Sequence, residues 1–548
     1  MRYIEKVNRE QITMLPNTLD DYVSEDNPVR VIDAFVDSLD MDILGFCRAQ
    51  NDATGRPSYD PKDLLKLYIY GYFNKIRSSR KLMKECTRNV ELFFLLGRLV
   101  PDFRTIADFR KNNAKAIRNV FRSFAKLCLK MGLYKRELLA VDGTKVRAQN
   151  SHDNCYTAEV LEKKIANIEE KLQKFFEELD ENDSEDNKTT ETPSEAVRNA
   201  IEELKNRKEK YCEYLGELEK SGEKQLLTTD PEAHRMHTKD GFHSCFNVQA
   251  AVDSESHLIA GYEVTSQGND VGLLCKTVEE AKETLEVDTI KATADKGYDS
   301  RTDILNCIMN GTDPHVIPKY DKEETVLTLD YKETEITEEI KASTKPEDIK
   351  KCLHAGILPG CYEESNISVE ARSTGDISCF IRNGDGAVIC PTGNVKYCIR
   401  CRGESKIYAN KDACRQCKNR CKASGKHKTV SFGPCTTYVP VKMYGKSECQ
   451  LNEIPQTGKN PYNHTLDRRD YNHDKQVIVH VRHDECITKL RKTLVEHPFG
   501  TVKWSYGFHY VLCKGKEKAA AELGLGFLAY NLTRAINMVG VKRLIEAI

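Results

Sequence analysis

Net charge is the first thing this chain lacks: its 548 residues carry 83 Lys and Arg against 84 Asp and Glu, a formal balance of -1. That excludes a globally basic nucleic-acid coat and a strongly acidic solvating chain, so a site for a polyanion has to be a local patch. Long apolar runs are missing too. The longest, Val90 to Val100, is interrupted by Glu91 and Arg98 and falls far short of the roughly 18 residues of a membrane span. No basic-then-apolar leader precedes Met14, so the expected compartment is the cytoplasm. Tryptophan occurs once, as Trp504.

What is present is ordinary globular material. Hydrophobic residues make up 39% and charged residues 30% of the chain, enough for several cores and too apolar for disorder throughout. At roughly 150 residues per domain, the length suggests three or four folding units. The 21 cysteines, an odd number in a Lys- and Glu-rich chain, read as free thiols or metal ligands in a reducing compartment.

Residues 26 to 136 read as helical. Asp26-Asn27-Pro28 and Asp60-Pro61 each combine a cap with a first-turn proline. The stripe Leu64, Leu67, Tyr68, Tyr72, followed by Ser78-Ser79, suggests short helices in a helix-turn-helix-like unit. One further helix is expected from near Thr105 to Lys130, with Ile106, Phe109, Ile117, Phe121, Phe124 and Leu127 on its core side. Its other faces carry Arg110, Lys111, Lys115, Arg118, Arg122, Lys126 and Lys130. Alone, that is a solvated face; in a DNA-binding protein it is a phosphate contact.

Residues 138 to 148 are β-rich and enclose a single acid, Asp142. Buried carboxylates need a cationic partner or a metal, so Asp142 is either neutralised by a neighbouring Lys or is a metal ligand at a strand end. Two long runs with apolar steps of three and four, from Leu161 to Leu179 and from Val197 to Leu218, flank the acidic stretch Asp180 to Ser194. They read as an inserted helical hairpin, a spacer or dimer arm. A β-hairpin follows over Phe246 to Val264, then a helix over Val271 to Leu285, then a strand over Thr289 to Tyr298 containing Asp295. A cysteine-dense block occupies 352 to 450, a helical segment with Glu496 lies in 485 to 500, and a last helix covers Glu517 to Val539.

Among 84 acids, three distant ones on an α/β scaffold mean little by composition. The stretches Ala140-Val-Asp-Gly-Thr-Lys145, Asn247-Val-Gln-Ala-Ala-Val-Asp253, Ala294-Asp-Lys-Gly-Tyr-Asp299 and Val495-Glu-His-Pro-Phe-Gly-Thr-Val-Lys503 are more specific. In order and spacing they resemble the DDE transposases of bacterial insertion sequences, in the YREK-type subgroup with a helical N-terminal domain and a Cys-rich insertion. The resemblance runs from about Leu15 to Ala535. It implies an RNase H-like mixed α/β sheet as catalytic core. The expected division is a DNA-binding helical domain over 1–136, core over 137–151, helical hairpin over 152–225 and core over 226–345. A Cys-rich, zinc-binding insertion is expected over 346–450, then core again over 451–548.

Carried over residue by residue, the resemblance makes Asp142, Asp295 and Glu496 the catalytic acids. They would hold two Mg²⁺ or Mn²⁺ ions about 3.5–4 Å apart, the arrangement used for in-line phosphoryl transfer. Lys503, seven residues after Glu496, matches the signature lysine, whereas the expected Tyr and Arg positions are Lys489 and Lys492, with Arg491 adjacent. Lys503, Lys492 and Arg491 would hold phosphates, and Tyr298 and Trp504 would stack on displaced bases unless they are core aromatics. The motif Cys414-x-x-Cys417-x-x-x-Cys421, with Cys390, Cys398, Cys401, Cys379 and Cys435 nearby, has zinc-site spacing that leaves the four ligands open. The subgroup's pattern selects Cys390, Cys414, Cys417 and Cys421 for a structural Zn²⁺; the alternative is free thiols in a loop-rich insertion. The implied partners are double-stranded DNA, as transposon ends and target, and a second copy in a homodimer. The alternative readings are an inactive, domesticated DNA-binding protein and an RNase H-like metal-dependent nuclease.

Overall fold

The computed structural model describes residues 18–47, 58–151, 154–185, 195–223, 225–319, 324–373, 379–382, 387–390, 395–402, 405–416, 427–432, 438–440, 457–459, 465–467 and 475–548. The chain divides into two compact units, one of Met1–Glu286 with Arg491–Ile548 and the other of Val287–Leu490.

In the first unit, helix α1 spans Val29–Ser38 and α2 spans Pro61–Phe73. The Asp60 side chain accepts the Lys62 N–H at 2.8 Å, so proline and cap start α2 as the sequence suggests. This helix is buried nearly all round, and Lys66 within it is neutralised by Asp33 at 2.7 Å and Asp37 at 2.8 Å.

The single helix expected from Thr105 to Lys130 is two, α3 (Phe103–Asn112) and α4 (Ala114–Lys130). Apolar periodicity continues across the junction, which is why it is invisible locally. The break is tertiary: the Asn113 carboxamide accepts the Cys47 N–H at 2.7 Å and donates to the Phe109 carbonyl at 2.8 Å. Three cations of the basic face of α4 have acidic partners. Arg118 pairs with Glu263 at 2.9 Å, Arg122 with Glu280 at 2.8 Å, and Lys126 with Glu286 at 3.6 Å. Lys111, Lys115 and Lys130 stay exposed.

Strand β1 (Leu138–Arg147) pairs antiparallel with β3 (Gly241–Asp253). On its far side β3 pairs with β2 (His234–Thr238) near its start and with β4 (Ile259–Thr265) further along. Between β1 and β2 the helices α5 (Ala158–Glu185) and α6 (Glu195–Ser221) run antiparallel, held by Lys208 to Glu169 at 2.7 Å and by a cluster of Tyr156, Leu161 and Leu218. Helix α7 (Leu274–Leu285) packs on β4 so closely that a Cβ on Gly261 would stand 2.8 Å from the Ala281 nitrogen.

The second unit contains the parallel pair β5 (Ile290–Ala294) and β6 (Thr312–Val316). It also holds a three-stranded antiparallel sheet in which β9 (Lys475–Arg482) lies between β7 (Glu324–Asp330) and β8 (Ile367–Ser373). The cysteine-dense block folds as a six-stranded antiparallel sheet over an apolar cluster of Phe380, Val388, Cys390, Tyr408, Val430 and Phe432.

Helix α8 (Glu485–Gly500) contains the second unit boundary, and α9 (Lys516–Val539) returns wholly to the first unit. Gly526 lets α9 approach Phe508: a Cβ there would lie 2.6 Å from the ring's Cζ. No helix among the described residues is long and apolar enough to cross a membrane.

Candidate active site

Asp142 lies in the middle of β1, opposite Ala250 of β3, after four buried residues, Leu138 to Val141. Its side chain is 29% exposed, and its Oδ1 is 3.5 Å from Nη1 of Arg491, itself 15% exposed. The cation beside it is an arginine from α8, where a neighbouring lysine was expected. That helix buries Leu494, Val495, Pro498 and Phe499, while Lys492 and Glu496 are exposed. Glu496 has no hydrogen-bond or ion-pair partner among the described residues.

Gly143, next along β1, points to the other face of the strand. There Asp270 Oδ1 accepts from Asn247 and Gln249, each at 2.8 Å, and a Cβ on Gly143 would stand 2.6 Å from that oxygen. The glycine is therefore required by packing, and the acid beside it is engaged by two amides.

Asp295 follows the last residue of β5 in the second unit and caps the short turn Lys296–Tyr298, its Oδ1 accepting the Gly297 N–H at 2.5 Å. Asp299 is used differently: its Oδ2 accepts the Lys319 N–H at 2.7 Å. Tyr298 is fully buried, at 0% exposure, so it is a core aromatic and not a stacking platform. Trp504 is the opposite case at 78% exposure, with its ring edge-on to His509 at 4.6 Å.

Lys503 and Trp504 lie on a π-helical turn, Thr501–Ser505, closed by the Tyr506 N–H donating to the Thr501 carbonyl at 3.1 Å. Pro498 just upstream lacks a backbone donor, which loosens the preceding turn. Burial, reinforced by the nearby Lys239 charge, holds the Lys503 ammonium below the ordinary lysine range. An arriving phosphate would relieve that repulsion.

Of the four cysteines selected for zinc, Cys417 and Cys421 lie outside the described residues. Cys390 belongs to the apolar cluster, and the Cys414 sulfur takes a hydrogen bond from the buried Lys396 ammonium at 3.3 Å. Among the described residues no three His, Cys, Asp or Glu side chains form a group able to hold a metal.

Two family models match the sequence. The Transposase domain (DUF772) model matches residues 17–112, and the Transposase DDE domain model matches residues 133–532, well over half of the chain. The chain belongs to the DDE transposase family. The matched region of this transposase contains Asp142, Asp295, Glu496 and Lys503, and its mixed α/β architecture with a helical N-terminal region agrees with the fold class expected from the sequence. No curated protein matches it. A cryo-EM structure of piggyBac transposase in a synaptic complex with hairpin DNA matches at 10% identity with a TM-score of 0.25, over 95% of this chain and 79% of that one. A likeness of that size does not define a shared arrangement of the chain.

Sequence reasoning missed Glu522, fully buried in α9 between Arg77 at 2.7 Å and Arg110 at 3.7 Å. The available signal was a lone acid inside an Ala- and Leu-rich helix. It also missed Asp270, which no local pattern marks.

Proposed function

We propose that this DDE transposase binds the terminal inverted repeats of its own insertion sequence and cuts and joins DNA strands, with Asp142, Asp295 and Glu496 as ligands for two divalent ions. The observation that carries the reading is the DDE-domain match that embraces all three acids. The Asp142–Arg491 contact supports it, because the helix that meets the strand carboxylate is the one bearing Glu496.

The residues suit the ions in chemistry. All three supply hard carboxylate oxygens, which Mg²⁺ and Mn²⁺ prefer, and Asp142 already has a cation for a neighbour. When bound, such ions polarise the scissile phosphate and favour the deprotonated nucleophile. The chain's own groups do the rest. Arg491 neutralises Asp142 before DNA arrives and is within reach of a phosphate afterwards, by a bidentate contact that Lys492, exposed on the helix, cannot offer. Lys503 offers a partly desolvated ammonium that an arriving anion would stabilise. Trp504 presents an open ring to an unpaired base. Two copies pairing two ends complete the proposed assembly.

The test is strand cleavage and strand transfer on end-labelled DNA from the flanks of the gene, with Mg²⁺. Asp142→Asn, Asp295→Asn and Glu496→Gln should each reduce cleavage to background while end binding persists, and chelation should silence the wild type. Cleavage retained by all three variants defeats the acid assignment. Hydrolysis without joining by the wild type points to a nuclease, and binding without cleavage to an inactive relative.

A further inference from the structure

The end of β1 beyond the acids carries a second feature. Lys145 and Arg147 lie there, opposite Asn247 and Cys245 of β3. The backbone of His509 to Val511 runs alongside: the Arg147 N–H donates to the His509 carbonyl at 3.0 Å and the Val511 N–H to the Arg147 carbonyl at 2.9 Å. Burial pushes the Cys245 thiol up to about 11, against the pull of the Arg147, Lys145 and Lys503 charges. Lys239, at the tip of the β2–β3 hairpin, adds a fourth charge near Lys503.

Beside these cations is a cleft of about 180 Å³ lined by Arg147, Asn150, Arg235, Phe242 and Ser244 among others. Phe242 is 54% exposed, with the Arg235 guanidinium over its ring at 5.3 Å. His237 meets the same ring edge-on at 5.1 Å, and Phe242 lines the cleft together with both arginines. The acid at hand, Asp240, pairs with Arg147 at 3.0 Å, but the carboxylate is 74% exposed, so that pair opens cheaply.

We propose that the β2–β3 hairpin cleft takes an unpaired nucleotide of the DNA substrate, its base against Phe242 and its phosphates on Arg147 and Arg235. This rests on the transposase reading above. A duplex presents only base edges, whereas a frayed or single-stranded end exposes the ring face that an aromatic can cover. The cleft is too small for a helix, and the two arginines in its lining suit a phosphodiester chain.

The experiment uses the full chain and fluorescence anisotropy with two labelled probes, a blunt duplex and the same duplex with a short oligothymidine overhang, across a salt series. Wild type should prefer the overhang. Phe242→Ala should lose about fivefold or more of the overhang affinity and leave blunt-duplex binding unchanged, with Phe242→Trp restoring it. Arg147→Gln and Arg235→Gln should each flatten the salt dependence by about one unit of slope, while Lys208→Ala on α6 should change nothing. Equal binding of both probes by wild type, or an overhang preference that survives Phe242→Ala with the protein folded, overturns this inference alone. Failure of wild type to bind either probe takes down the DNA-binding function proposed above with it.

Discussion

Replacing Glu522 by alanine should be among the most destabilising single changes in this protein. The carboxylate is fully buried, with Oε1 2.7 Å from Nη2 of Arg77 and 3.7 Å from Nη1 of Arg110. Its Oε2 accepts the backbone N–H groups of Leu512 at 2.7 Å and Cys513 at 3.1 Å. Arg77 also donates to the carbonyls of Gly507 and Tyr510 and stacks on Phe508 at 4.2 Å, while Arg110 donates to the Tyr72 hydroxyl at 2.8 Å. Burial works against the Arg110 charge, and Tyr72 and Glu522 outweigh it, so its pKa is raised. Alanine would leave two buried guanidiniums without their carboxylate, which costs about 3–5 kcal/mol. The two orphaned amides add about 1 kcal/mol or more, less whatever water recovers. With an unfolding entropy of about 2.1 cal/mol/K per residue, a unit the size of the first shifts by about 1.4 °C per kcal/mol, so its melting temperature should fall by about 5–8 °C.

Glu522→Gln separates the contributions. It keeps an oxygen for the Leu512 and Cys513 amides but no charge for the arginines, so it should recover only the smaller part of the loss. Urea and thermal unfolding of the three proteins at neutral pH supply the comparison. If Glu522→Ala unfolds within about 1 kcal/mol of wild type, the buried-charge reasoning is wrong. The functional consequence is local, because the same network anchors Gly507 to Cys513, the segment that follows Lys503 and Trp504.

Three further expectations are independent of that one. Tyr298→Ala should cost about 3 kcal/mol or more in stability, read by urea midpoint, because the ring is fully buried; Trp504→Ala, at 78% exposure, should leave stability alone and weaken DNA binding. Gly526→Ala should destabilise by about 1–3 kcal/mol despite alanine's better helix propensity, since its methyl would press on the Phe508 ring. Burial, with Arg534 and His257 nearby, holds the His497 imidazole below its ordinary value of 6.5, so the folded state favours the neutral ring. Its contribution should be complete above that pH and be lost as pH falls through the lower folded value. Melting temperatures taken from pH 7 to 5 should therefore drop less steeply in His497→Gln than in wild type.

Much of the scaffold was legible from local pattern. The strand around Asp142, the hairpin after Phe246, the helices over 271–285 and 517–539 and the paired helices of the insertion all appear close to where periodicity puts them. Alternation and helical spacing are short-range properties, and each element must bury one face whatever its neighbours do. The strand from Thr289 is shorter than its composition suggests, because Asp295 turns the chain by capping Gly297.

Other matters depended on residues far apart in the chain. Sequence alone identified Asp142 as an acid in need of a cation, and the family pattern singled out its companions. Only the tertiary structure decided that Arg491 and not Lys492 meets it. It likewise decided that Arg118 and Arg122 of α4 pair with Glu263 and Glu280, that Asn113 breaks a continuous helix, and that Tyr298 is core while Trp504 is open. The physical reason is common to all four. Whether a charge or a ring faces water depends on which distant surface covers it, and a periodic pattern records that a face is covered without recording by what.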